Sequence, residues 1–243
     1  MRWIWLAAAC WSVVACAGEA PPPIEDWRAG DVAPSDFALL PCAPAPLEGR
    51  CALAVAGGKK ILFGTPSGAA GALDLADLAS LDAVVLLSLA DHDLNGLDEV
   101  RNLSWRAGRT QPLLVLGPQG TQALVAAMNR VFEASDALRV VEEGLPPGGF
   151  EAAVLLGKEP GLDGGAIFNT GDVIIAASRA WAIGVPGDVT VTYRSAHTLV
   201  LSPCADEADP VPYQGAIRLG CDPGQDDVSW PLSAPYYVFR SSG

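Results

Sequence analysis

The stretch "LDAVVLLSLADHDLNGLDEV", residues 81–100, joins three patterns in twenty residues. From Asp82 to Leu89 it is β-branched or Leu-rich without alternation, the pattern of a strand covered on both faces. Asp91, His92, Asp93, Asn95 and Gly96 then form a polar cluster around one of the chain's two histidines. From Leu97 onward, "LDEVRNLSWRAG" carries Leu97, Val100, Leu103 and Trp105 at spacings that point them to one side of a helix. A buried strand, an acidic turn and a helix make one strand–helix unit of an α/β protein. The turn is a metal site, the remains of one, or a helix cap in which carboxylates favour the positive end of the dipole.

The neighbours repeat the theme. In "RTQPLLVLGPQGTQALVAAMNRVF", residues 109–132, a strand Leu113–Leu116 is followed by a Gly-Pro turn. A helix then carries Leu124, Val125, Met128, Val131 and Phe132 at a 3.6 period, with Thr121 as its expected N-cap. Upstream, Ala52–Ala56 and Lys59–Phe63 read as a hairpin turning at Gly57-Gly58. Leu73, Leu75, Leu78 and Leu81 mark a short helix with Asp74 and Asp77 toward water. Beyond Asp136 the chain reads as short strands: "LRVVEE" (138–143), "FEAAVLLG" (150–157), "DVIIAAS" (172–178), "DVTVTYRS" (188–195) and "HTLVLSP" (197–203). The tail reads as irregular with one last strand near Tyr236–Phe239. The expectation is two packed sheets with helices outside.

The amino terminus reads as an export signal: Arg2, then an apolar or small run from Trp3 to Ala17, too short for a membrane span. Val13-Val14-Ala15-Cys16 resembles a bacterial lipobox, with Cys16 as the lipid attachment site; Ala15-Cys16-Ala17 also fits ordinary cleavage. The lipobox is preferred because Cys16 ends the apolar run and a Pro-, Ala- and acid-rich tether follows. The chain therefore divides into a signal at 1–17, a linker at 18–36 and one domain at 37–243. The expected location is the bacterial envelope, facing the periplasm or exterior, with the membrane reached through the lipid and an envelope protein as partner. The net charge of −13, from 28 acidic and 15 basic residues without a basic block, argues against nucleic acid. Once Cys10 leaves with the signal, Cys42, Cys51, Cys204 and Cys221 remain for two disulfides. The local pairing Cys42–Cys51 with Cys204–Cys221 is the simplest of the three connectivities.

The order of elements resembles the metallo-β-lactamase superfamily, in its ribonuclease Z and arylsulfatase-like branch. "AGGKKILFGTPSG" looks like the early hairpin of that family. The stretch at 81–100 lies where the family has a strand, the metal motif H-x-H-x-D-H and a helix. "VLGPQGT" is close to the branch's V-x-G-P-x-G-t, and "YRSAHTLVLSPCAD" resembles the strand ending in s-G-D-T. The resemblance implies an α/β, four-layer αββα sandwich, with a carboxyl-terminal part shorter than the branch's own. It also implies a metal-dependent hydrolase, but the ligand positions have changed. Ser88, Ala90, His92 and Asp93 stand where the family has His, His, Asp and His. Gly64 stands at the hairpin's aspartate, and Cys204 near that of s-G-D-T. A dinuclear zinc centre needs four or five imidazoles with carboxylates, and this chain has His92 and His197.

The expectation is an exported, lipid-tethered domain without the dinuclear zinc site, acting by binding or as a structural component, with no cofactor. Two alternatives stay open. One is a hydrolase with a minimal site drawn from Asp91, His92, Asp93 and the distant His197. The other is calcium binding by Asp91-x-Asp93-x-Asn95-Gly96, which matches half of a calcium loop but puts Asp98 and Asn102 at positions eight and twelve. Ser88, Ser104 and Ser202 have no adjacent base in sequence. Gly117-Pro118-Gln119-Gly120 opens a helix and could hold an anion, but lacks a phosphate-loop Lys. Asn102-Leu103-Ser104 is a glycosylation sequon without meaning in a bacterium, and Trp181 and Trp230 read as core or rim.

Overall fold

The computed structural model describes residues 29–42, 50–202, 217–220 and 228–241. A single 3-10 turn at Ala29–Asp31 leads into β1 (Phe37–Pro41), then β2 (Ala52–Ala56) and β3 (Lys59–Phe63). Two one-turn helices follow, α1 (Ala69–Ala72) and α2 (Leu75–Ala79), then β4 (Ala83–Val85), α3 (Asp91–Leu94) and α4 (Leu97–Arg106). Next come β5 (Leu113–Leu116), the long α5 (Thr121–Glu143), α6 (Gly149–Ala153) and β6 (Leu155–Lys158). The second half holds β7 (Gly165–Asn169), β8 (Val173–Ala177), α7 (Arg179–Ala182), β9 (Val189–Tyr193) and β10 (His197–Leu201), then β11 (Ile217–Gly220), β12 (Val228–Ser229) and β13 (Tyr236–Phe239).

The strands form two mixed sheets, a seven-stranded one in the order β13-β1-β2-β3-β4-β5-β6 and a six-stranded one in the order β12-β11-β10-β9-β8-β7. In the first, β3 through β6 run parallel, which requires crossovers, and the helices α1 to α6 lie in those crossovers. The sheets pack face to face over Phe37, Leu39, Ile61, Phe63, Val85, Val173, Ile175, Val191 and Leu199. The other face of the first sheet, through Leu53, Val55, Leu62, Val84 and Val115, buries Leu78, Leu97, Val100 and Val125 of the helices. Both faces of β4 are therefore covered, as its unbroken apolar run requires. Among the described residues, the only helix in the six-stranded half is the one-turn α7.

The hairpin, the strand Leu113–Leu116 and the last strand Tyr236–Phe239 lie where the sequence places them. Other expectations need correction. "LRVVEE" is not a strand but the end of α5: no Gly or Pro interrupts 121–143, and Gly144 with φ 91° ends the helix. Tertiary contact outweighs the β-propensity of Val140 and Val141, since Asp136 on the same helix pairs with Arg101 of α4. "FEAAVLLG" divides between α6 and β6, and the strand expected over Asp82–Leu89 is regular only at Ala83–Val85. The N-cap of α5 is Gly120; Thr121 is the first helical residue, and its hydroxyl donates to the Pro118 carbonyl. Asp77 does not face water. It is buried, accepts from Lys60 Nζ at 2.8 Å and from the Ala29 amide at 3.1 Å, and so ties the amino-terminal turn to the sheet.

Candidate functional site

The strand-end turn is organised by a residue that the motif does not contain. Asp93 is fully buried, and both its carboxylate oxygens are held by Arg50: Nε donates to Oδ1 at 3.1 Å, and Nη2 donates to Oδ2. Ser88 Oγ donates to the same Oδ2 and accepts from the Ala90 amide at 3.1 Å, and His92 Nε2 lies 3.5 Å from it. This is a two-pronged guanidinium–carboxylate pair, the geometry that makes Arg the common partner of a buried carboxylate. The Asp93 carbonyl accepts from the Thr65 amide at 2.8 Å and from Thr65 Oγ1 at 3.1 Å, and the Gly96 amide returns a bond to Thr65 at 2.7 Å. A Cβ on Gly96 would come within 2.3 Å of the Pro66 carbonyl oxygen, so this crossing of the two segments needs glycine there.

Arg50 reaches the site because the segment before β2 crosses the end of β3. The Arg50 carbonyl oxygen lies 1.9 Å from where a Cβ on Gly64 would stand, and Gly64 has φ 70°. The space that a side chain at position 64 would need is taken by the backbone of Arg50, so none fits. The Cys42–Cys51 disulfide, one residue away, joins the segment to the end of β1, and Cys51 Sγ also contacts the Gly64 carbonyl at 3.6 Å.

Beside the pair lies a pocket of about 490 Å³. Its polar lining is Arg50, Ser88 and His92; its apolar lining is Leu87, Leu89, Ala90, Pro118, Trp181, Val185 and Pro186 with Gly184. Trp181 is buried, and its indole N–H donates to the Leu87 carbonyl at 2.9 Å, pinning α7 against the strand end. The turn that opens α5 does hold an anion, but one of the chain's own. Glu159 Oε1 accepts from the amides of Gly120 at 3.0 Å and Gln122 at 2.7 Å, and Oε2 accepts from Gln119 Nε2 at 2.9 Å. A carboxylate just past β6 thus satisfies the free amides and the positive end of that helix.

The other expected site residues lie as follows. Asp91 and His92 are exposed on α3 while Asp93 points inward, because residues two apart on a helix are separated by about 200° of rotation. The turn therefore does not bring the carboxylates of Asp91 and Asp93 together as a calcium loop would. The N-cap of α3 is Ala90, without a side-chain cap, so the acids lie within the helix. His197 stacks on Phe239 at 4.0 Å between ring centres, beside Tyr193 and at the end of β10 opposite Leu201. Leu201 pairs with Val189, on the side from which α7 and the pocket are built, so His197 is at the far end of the sandwich. Ser202 Oγ donates to Asp188 at 2.8 Å and Ser104 Oγ to the Arg101 carbonyl, each without an imidazole partner. Trp181 is core and pocket wall at once, and Trp230 is core. Cys16, Cys204 and Cys221 lie outside the described residues.

The donors at the strand end do not fit a dinuclear metal centre. Ser88 and Ala90 supply no imidazole, and both oxygens of Asp93 already bind a guanidinium, whose fixed positive charge would repel a second cation a few ångströms away. Among the described residues, no group of three or more His, Cys, Asp or Glu side chains could hold an ion. Arg50 is the residue that reading the sequence missed. It lies 43 positions from Asp93, before a cysteine and outside every motif.

No family model and no curated protein matches the chain. Solved structures do. Zinc-bound PqqB from Methylobacterium extorquens superposes with a TM-score of 0.50 at 14% identity, over 75% of this chain and 70% of that one. The short form of human tRNase Z gives 0.49 at 14% identity, over 75% and 76%. YhfI of Bacillus subtilis, described as a metallo-β-lactamase fold protein, gives 0.46 at 13% identity, over 76% and 70%. The chain is an α/β sandwich of the metallo-β-lactamase fold. At these identities the likeness is one of fold, and function has to be argued from the site.

Proposed function

We propose that this chain is an exported, lipid-tethered binding domain, in which Arg50 has taken over the place of a metal ion and hydrolysis has been lost. The observation that carries this reading is the Arg50–Asp93 pair, with the Arg50 backbone against Gly64 and a pocket lined by Arg50. A resident guanidinium supplies the positive charge that holds the strand end together. Unlike a metal ion, it has no open coordination position and cannot turn bound water into a hydroxide nucleophile. Ser88 gives no substitute mechanism. Its hydroxyl donates to a carboxylate already held by arginine, with Asp93 between it and His92, instead of meeting an imidazole directly. The pocket remains, and a pocket without a reaction is a binding site.

The test is hydrolysis of phosphodiester, lactam, lactone and sulfate-ester probes by the purified chain, with and without added zinc or calcium. No turnover above buffer is expected with either ion. Turnover that requires zinc and disappears in His92→Ala would replace this reading with a minimal metal-dependent hydrolase. Calcium-dependent thermal stabilisation abolished by Asp91→Ala would replace it with a calcium-stabilised domain.

A further inference from the structure

The polar groups in the pocket limit what it can bind, an inference that rests on the non-catalytic reading above. Trp181 spends its only donor on the Leu87 carbonyl and offers the pocket carbon surface alone. Ser88 Oγ both donates, to Asp93, and accepts, from the Ala90 amide. Arg50 uses Nε and Nη2 on Asp93, its side chain is 12% exposed, and it lines the pocket. A mostly buried guanidinium that lines a mainly apolar pocket offers its remaining N–H groups to an acceptor.

Charge decides which acceptor. Asp93 already neutralises Arg50, Asp91 stands on the neighbouring helical turn, and the whole chain carries −13, so an anion gains little here. No carboxylate lines the pocket, so a cation has no partner. The volume of about 490 Å³ lies in the range of small-molecule sites, roughly 300–1,000 Å³. We propose that the pocket binds an uncharged, mainly apolar small molecule through one carbonyl-type acceptor, with Arg50 as donor and Trp181, Leu87, Leu89 and Val185 against its body.

The experiment uses the full chain carrying Cys16→Ser, so that no acyl chain contributes, and the neutral dye Nile red as reporter. Three competitors of one shape are compared: benzophenone with a carbonyl, diphenylmethane without one, and anionic 4-benzoylbenzoate. Saturable dye binding is expected, with benzophenone displacing at about tenfold lower concentration than either of the others, as one bond to a charged donor allows. Ala90→Trp, which fills the pocket, removes that saturable component; Val185→Asp at the rim does the same if the first variant fails to fold. Equal displacement by diphenylmethane, tighter binding of 4-benzoylbenzoate, absence of saturable binding, or dye binding that survives both variants each overturns the inference. None of these results touches the loss of hydrolysis, which falls only if one of the ester or lactam probes is turned over.

Discussion

Asp93 is a fully buried carboxylate on α3, and its partners decide what it costs to keep it there. A buried carboxylate needs a positive partner and hydrogen-bond donors, and Arg50 and Ser88 supply both. Removing one member should cost much more than removing the pair. Asp93→Ala is expected to lower unfolding free energy by about 3–5 kcal/mol in a urea titration, because Arg50 is then left buried without its counter-charge. Arg50→Met combined with Asp93→Leu should recover a good part of that loss, since no uncompensated charge remains. The resemblance read in the sequence points to Ser88 and Ala90 as changed ligand positions. It could not show the replacement, because a salt bridge spanning 43 residues leaves no local pattern.

Among the elements, the parallel β3-β4-β5 unit and the hairpin were legible because period and turn residues agree there. The far end of α5 and the split between α6 and β6 were not, because long-range contacts overrule local propensity. The start of α5 depends on Glu159, which answers two free amides and the helix dipole. Glu159→Gln keeps an acceptor but removes the charge, and a loss of about 0.3–1 kcal/mol is expected by the same titration, shrinking as salt is raised. At the other edge of the sheet, β13 is tied beside β1 by Asp36, whose carboxylate accepts from the Ser241 hydroxyl and from its amide at 2.8 Å. The Ser241 side-chain and backbone bonds, with a smaller contribution from Arg240, hold the Asp36 carboxyl below its ordinary value of 3.8. A carboxyl whose pKa is depressed on folding adds stability that is fully present above its unfolded value. That contribution disappears as pH falls through the folded value. Stability measured from neutral pH downward should therefore show a loss below about pH 4 that is shallower in Asp36→Asn.

At the scale of the whole molecule, the two-sheet sandwich was legible from the order of strand–helix units and then strands, and the solved structures agree on that architecture. The export reading rests on residues 1–17 and on the cysteine usage, and Cys16→Ala is expected to move the protein from the membrane pellet to the soluble fraction on immunoblots. The central claim is that a guanidinium stands where this scaffold otherwise holds metal. Its most direct test is the zinc content of the purified full chain, measured by inductively coupled plasma mass spectrometry after saturation with zinc and dialysis into metal-free buffer. The account predicts zinc far below one ion per chain, at the same background level in Asp93→Asn and His92→Ala. One or two zinc ions per chain, lost in either variant, would contradict it.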